Sequence, residues 1–449
     1  MAAMKRRKSQ ISAQIATLAL LSAALVAPLT AGTAHARTLR IGRDATTLPE
    51  ALRAAVDGDV VELAGHSHIG AIVIDKAITL RGPGLVDGGG KGHTIAVLSA
   101  GARIEQLAVQ HSGDDLQRSD SCVYIGAKAR GTVVAGVAAE HCTFGIYVHE
   151  TEDVRIEGCT VIGSVVGQRS ERGNGIHLFD ATAAVVIDNI VRGGRDGIYV
   201  SASEQSLIAR NHLSGTRFGV HYMFSLHNKL EGNIAVDNVT GYAIMQSSSI
   251  VVVGNTAERN RDHGILFRDA FDSRIERNRA VSNGEGLFFF SSVDNVIAAN
   301  VVLYNGVGAK VWAGSDRNDV HDNVFIGNRR QIFYVSTKDL IWGQSGRGNI
   351  WGDYLGWDQD GDGIGDRPYR VDSFVAHLLY RYPQAALLVR SPALELLAML
   401  SERMPLWRVP TVIDTHPLTR PPAQAELAVA PVATLAAATT ADNLSEEAR

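Results

Sequence analysis

The 449-residue chain carries 43 Lys and Arg against 47 Asp and Glu, a formal net charge of -4, and this balance excludes the electrostatic footprint of a nucleic-acid binder. Forty-five glycines with only 6% aromatic residues favour a turn-rich β protein over a helical one. A compact chain of this length would divide into two or three domains, a rule that repeat folds escape because each repeat contacts only its neighbours.

Residues 1–36 read as a secretory signal. Lys5, Arg6, Arg7 and Lys8 precede an apolar stretch from Ile15 to Leu29 that ends in Ala34-His35-Ala36, the small-x-small pattern of a cleavage site. Cleavage near Ala36 would deliver a periplasmic protein that begins at Arg37. In an oxidising compartment the three cysteines, Cys122, Cys142 and Cys159, are an odd number, so at least one stays unpaired or pairs elsewhere. Their spacing puts them in no single column of the repeat below, and they read as small buried residues.

The mature chain opens with a helix that covers the first coil. Thr47 and Glu50 form a capping box, and Leu48, Leu52, Ala55 and Val56 supply an apolar stripe. An uncovered coil end would template aggregation.

A glycine followed by an apolar residue then recurs at Gly175, Gly197, Gly219, Gly241, Gly264, Gly286 and Gly308, in steps of 22 or 23. Two asparagine columns run in step: Asn189, Asn211, Asn233, Asn255, Asn278, Asn300 and Asn323, and Asn238, Asn260, Asn283, Asn305 and Asn328. Short β-branched runs between them, such as Val185–Ile187 and Val301–Leu303, are strands. Three short strands and three turns per coil cannot bury an apolar face alone, but coils stacked about 4.8 Å apart share one core. The pattern predicts an all-β, right-handed parallel β-helix over residues 37–348. Leucine-rich and helical repeats are excluded because neither a Leu-x-x-Leu-x-Leu motif nor a 3.6 period is present. Asparagine suits the turns, since it tolerates left-handed backbone and its amide can bond the equivalent amide one coil away.

With the residue after each glycine pointing inward, strand alternation turns positions two and four outward. Position two reads Tyr147, His177, Tyr199, His221, Ala243, Leu266, Phe288, Lys310; position four reads His149, Phe179, Ser201, Met223, Met245, Arg268, Phe290, Trp312. Such a row of exposed aromatic and apolar groups is either a docking surface or covered by another part of the chain; Tyr199, Phe288, Phe290 and Trp312 are its candidate contact residues. Met223 and Met245 stack on adjacent coils with His221 beside them, and with His177 they are candidate ligands for a transient soft ion such as Cu(I). The alternative is methionine as filler beneath a partner or loop.

Residues 349–383 form an acidic closing segment. Asp358, Asp360, Asp362 and Asp366, with Ile364 offering a backbone carbonyl, match positions 1, 3, 5, 9 and 7 of a calcium loop, although Tyr369 replaces the usual Glu at position 12. A structural Ca2+ would offset the mutual repulsion of these carboxylates; a solvated acidic turn is the alternative. In residues 384–420, Leu394, Leu397, Leu400 and Met404 fall at helical spacing, which suits docking to a membrane partner or packing against the coil end. Charges and a proline interrupt this stretch too often for a spanning helix. The Ala-, Thr- and Pro-rich tail, 421–449, lacks the apolar content to fold.

An exported β-helix closed by Asn349-Ile350-Trp351-Gly352-Asp353-Tyr354, then Asp358-Gln359-Asp360-Gly361-Asp362-Gly363-Ile364-Gly365-Asp366 and His416-Pro417-Leu418, resembles the NosD family. The resemblance runs from about Leu39 to Pro421. It implies a non-catalytic periplasmic subunit that works with an ABC-type permease and ATPase in maturing the copper centre of nitrous oxide reductase. The outward face would then receive a copper chaperone or the reductase, and residues 384–406 would sit on the permease, keeping the protein peripheral to the membrane. The rival class is a polysaccharide lyase, glycosidase or carbohydrate-binding β-helix. Arg261-Asp262-His263-Gly264 and Gly113-Asp114-Asp115 echo polygalacturonase motifs, but the remaining acidic motif is missing.

Overall fold

A computed structural model describes residues 36–370 except 313, a few isolated positions between 382 and 400, and residues 410–420. The signal segment, the tail and three of the four C-terminal docking positions, Leu394, Leu397 and Met404, lie outside the described residues. Leu400 is described and half-buried. Among the described residues no helix is long and apolar enough to cross a membrane.

From Thr38 onward the chain winds into a right-handed parallel β-helix whose coils build sheets of 13, 12 and 13 strands. One inward column shows why it holds. Val186, Ile208, Leu230, Val252, Ile275 and Ile297 pair in register on successive coils, and all are fully buried. Each such side chain contributes about 1.5–3 kcal/mol of burial.

The asparagines form two amide ladders, the second running side chain to side chain from Asn260 to Asn328. In the longer one, each side-chain amide donates to the carbonyl oxygen of the next, at 2.8–3.0 Å, from Asn189 through Asn211, Asn233, Asn255, Asn278, Asn300 and Asn323 to Asn349. These residues are not themselves left-handed. The positive φ belongs to the residue just before each, for example Asp188 at 58°, Arg210 at 52° and Gly232 at 63°. That neighbour turns the chain, while the asparagine is carried inside the corner, 0–1% exposed from Asn189 to Asn323, where its amide is satisfied by the equivalent amide of the next coil and by a backbone carbonyl of the coil before, as Asn211 is by Asn233 and Val186. The coils continue past Asn328: Gln331 replaces the glycine, its strand Arg330–Val335 still pairs with Val307–Trp312, and its amide oxygen accepts from Asn328 to close the second ladder.

Two expectations change. Cys122 and Cys142 form a disulfide, and Cys159 is free and buried. The pair needs no shared column, because Cys142 sits in the corner just ahead of its strand, which brings its Cα within 5.5 Å of Cys122 on the preceding coil. The capping helix spans Leu48–Ala54, with Thr47 accepting from the Glu50 amide. It buries Leu48 and Ala51, and Ala55 is buried at its C-cap, but Val56 beyond the cap is 54% exposed and does not belong to the stripe.

Asn255→Ala would remove the acceptor of two Asn233 N–H groups and the side-chain donor to the Leu230 carbonyl. A loss of about 2–4 kcal/mol is expected, read from the urea midpoint against the wild type.

Candidate functional site

Among the described residues the long strands lie in the 12-stranded sheet, six to nine residues over most of its length against two or three in the two 13-stranded sheets. It therefore carries three outward columns side by side. Beside positions two and four stands the residue before each glycine: Phe144, Asn174, Asp196, Phe218, Thr240, His263, Glu285. This third column went unnoticed in the sequence, and it changes the exposure of the face. Position two lies between two walls of side chains, so Tyr147, His177, His221, Ala243 and Leu266 are buried although they point outward.

In the N-terminal half the middle column is a stack of rings. Centroid distances are 4.5 Å from Tyr147 to His177, 4.7 Å from His177 to Tyr199 and 4.7 Å from Tyr199 to His221. The two histidines differ in their partners. His177 Nδ1 accepts from the Asn174 amide at 3.3 Å, because the Asn174 oxygen is taken by Arg195; its Nε2 therefore holds the proton. His221 Nδ1 faces the Asp196 carboxylate at 3.2 Å, which also binds Arg217 at 2.6 and 2.8 Å. There the proton sits on Nδ1, and Nε2 keeps its lone pair. Both Nε2 atoms are buried without a partner.

Electrostatics fix these states. Burial, reinforced by Arg195 against the opposing Asp196, pushes His177 down to about 3. Burial also outweighs Asp196 to hold His221 below its ordinary range. Burial of Asp196 would raise its carboxyl, but hydrogen bonds from His221 and Arg217 overcome this and bring it to about 2. The result is an ionised Asp196, a cationic Arg217 and a neutral His221.

The structure brings some predicted site residues together and separates others. Met223 and Met245 are register neighbours, both half-buried, and Met223 is two residues beyond His221 on the same face. His177 is two coils away with Tyr199 between, so it does not share a site with the methionines. Phe288, Phe290 and Trp312 form one cluster with Lys310, whose ammonium lies 4.8 Å from the Phe288 ring and 5.6 Å from Trp312. Tyr199 is four coils from that cluster and belongs to the histidine stack. Beside the stack, Tyr147 pairs with His177 after a step of 30 residues instead of 22, and the excess forms a loop that leaves Val165 and Val166 67% and 80% exposed.

In the closing segment, ligand atoms of Asp358, Asp360 and Asp362 lie within 4.8 Å of one another. Asp366 is not part of that group; its carboxylate accepts from the Gln359 backbone amide within the loop at 2.7 Å. Tyr369, at the twelfth position, gives its hydroxyl to Asp353 at 2.9 Å. The loop is braced on the returning chain, with Thr419 donating to Asp358 and Gly365 donating to the Pro417 carbonyl.

Fold and face together define a parallel β-solenoid whose polar, thioether and aromatic groups are gathered on one outward sheet. Residues 162–356 match the family described as NosD, periplasmic copper-binding protein. The chain is 35% identical over 379 residues to the "Probable ABC transporter binding protein NosD" of Stutzerimonas stutzeri, covering 81% of this chain and 87% of that protein. It is 36% identical over 388 residues to the protein of the same description from Pseudomonas aeruginosa, covering 83% and 90%. The chain belongs to the NosD family. Among solved structures it resembles a Yersinia enterocolitica family 28 exopolygalacturonase at a TM-score of 0.53 and 10% identity, covering 67% of this chain and 77% of that one. It also resembles the pre-mature bacteriophage phi29 gene product 12, at 0.53 and 12%, over 63% of this chain and 48% of that one. At such identities the likeness is one of fold.

The His177 state has a pH signature. Its folded value of about 3 lies below the ordinary 6.5, so the unfolded chain takes up the proton first. Stability is then full above pH 6.5 and falls as the pH drops towards 3. In NMR titration the His177 ring is expected to stay neutral at about pH 5, and His177→Phe should lose less stability than the wild type between pH 7 and that point.

Proposed function

We propose that this chain is the periplasmic arm of an ABC-type transporter complex and serves the maturation of the copper centre of nitrous oxide reductase. Its long-stranded face receives a copper chaperone and/or the reductase, while residues 384–420 dock on the permease, which the ATPase drives. The observation that carries this reading is the His221, Met223, Met245 group. A neutral imidazole with a free Nε2, oriented through Nδ1 by a carboxylate, beside two thioethers in register is a donor set for Cu(I). His221 would bind the cargo ion through Nε2 and the methionines through sulfur. The Phe288, Phe290, Trp312 cluster supplies the apolar contact for the partner.

A non-catalytic role is supported by the state of the acidic groups on this face. Asp196, Asp262 and Glu285 are each held by a cation, Arg217, Arg261 and Lys310 respectively. All three carboxyls lie below their usual range, with ion-pair hydrogen bonds overcoming burial at Asp196 and Glu285 and led by Arg261 at Asp262. A glycosidase needs one carboxyl raised so that it can donate a proton. In the closing segment, Asp358, Asp360 and Asp362 would hold a structural Ca2+.

Cu(I) titration of the mature chain is expected to show a site weakened at least tenfold in a Met223→Leu, Met245→Leu variant, with the circular dichroism spectrum unchanged; equal affinity would remove the site. A deletion strain should produce nitrous oxide reductase lacking its copper centre, and a fully metallated enzyme would refute the maturation role.

A further inference from the structure

The stack of coils ends unevenly. In one 13-stranded sheet the final strand is Asp319–His321, which pairs on one side with Val296–Ala298 and, among the described residues, has no strand on the other. The strand one repeat later, Leu340–Trp342, does not continue that sheet. It pairs in parallel with Val412–Asp414 and is itself an edge. The two segments line a crevice of about 620 Å3, with Arg317, Asp319 and Val320 on one side and Ile341, Gln344 and Ser345 on the other. A free strand edge of this kind is a template for pairing with another chain.

The corner that leads into this sheet shows what the crevice lacks. On earlier coils the corner N–H is accepted by a side-chain oxygen of the coil that follows: Ala184 by Ser206, Ser206 by Asn228, Ile250 by Ser273, Ser273 by Asn295 and Asn295 by Asn318, at 2.8–3.1 Å. The Asn318 N–H ends this series with no partner among the described residues. Asp339, one repeat later, stands where the next oxygen is due, but its Oδ1 accepts from the Thr411 amide at 3.0 Å. Trp342, which also lines the crevice, is buried with its indole N–H unpartnered. The crevice therefore has donors in excess of acceptors, a deficit that the carbonyl and side-chain oxygens of an added strand would fill.

Charge narrows the occupant further. The two lining cations are already paired, Arg317 with Asp294 at 2.7 Å and Lys338 with Asp316 at 3.1 Å, whereas the nearest cationic partner of Asp319 is His321 at 3.8 Å. We propose that this crevice takes a basic, extended segment of a partner protein as an added strand. The segment pairs along the free edge of Asp319–His321, an Asn or Ser side chain accepts the Asn318 N–H, and the Lys or Arg that follows falls opposite Asp319. The chain's own coils carry this motif in the same columns, as Asn228-Lys229-Leu230 and Ser273-Arg274-Ile275. The site lies on a different sheet from His221, Met223 and Met245, so its failure would leave the copper reading untouched.

The test uses the mature chain and an acetylated, amidated peptide copying Ser225–Leu230, titrated calorimetrically and followed by amide hydrogen exchange. One peptide should bind per chain and slow exchange at the Asn318 amide, and peptides carrying Asn228→Ala or Lys229→Glu should bind about tenfold more weakly. Gln344→Trp, at an exposed position, would fill the crevice and should abolish binding with the circular dichroism spectrum unchanged. Absence of binding, or binding that leaves Asn318 exchange as it was, would overturn the proposal. In the free chain the Asn318 amide should exchange rapidly at every protein concentration. Protection at all concentrations would mean that a segment of this chain fills the crevice, and protection that grows with concentration that a second copy does; either result would overturn the assignment to a partner.

Discussion

Everything in this molecule depends on one requirement, that each coil lie flat on the last at the spacing of hydrogen-bonded strands, about 4.8 Å. A coil that fails to turn at the same three corners would break three ladders at once. The corner asparagines enforce this by bonding both backbone and side chain of the coil before, as Asn255 does for Asn233. Extra residues are tolerated only where they bulge outward. The steps of 28 and 30 residues that precede the strands Ser121–Ile125 and Ile176–Phe179 both fall at the corner leading into the long-stranded sheet, and both therefore border its outward face.

The same geometry decides where chemistry can be placed. A three-residue strand offers at most two outward side chains and almost no width. The six-residue strands of the 12-stranded sheet offer three outward columns, wide enough for the middle one to be buried by its flanks. That is how a solvent-facing position comes to hold a neutral histidine beside an ionised aspartate. Asp196, Arg217 and His221 form one hydrogen-bonded unit drawn from adjacent coils, and within it each group fixes the protonation state of the next.

Much of this was legible in the chain. The glycine and asparagine periods give the fold, and alternation after the glycine gives the pairing of Met223 with Met245 and the ring column from Tyr147 to His221. What stayed hidden depends on side chains from neighbouring columns. Asp196 and Asn174 precede their glycines and carry no repeat signature, yet they set opposite tautomers on His221 and His177. The Cys122–Cys142 bridge joins a strand to a corner and so escapes any search for a shared column. Tyr199 belongs to a different cluster from Phe288, because a column says what lies in line and not how far apart. Asp414 was also missed. It is distant in sequence from every repeat, but its carboxylate accepts from the Asn349 backbone and amide and from the Trp351 indole.

Asp414 gives the amide ladder a direction and an end. Every rung donates towards the C-terminus, so the aligned amides sum to a dipole whose positive pole is at Asn349, and a buried carboxylate there neutralises it much as an anion does at the start of an α-helix. The same carboxylate accepts but cannot donate, so no further rung can be added beyond it. An open β-solenoid would otherwise present an end complementary to the start of another copy. A single carboxylate, supplied by a segment that returns from elsewhere in the chain, therefore ends the longer ladder, as the capping helix covers the first coil at the other end.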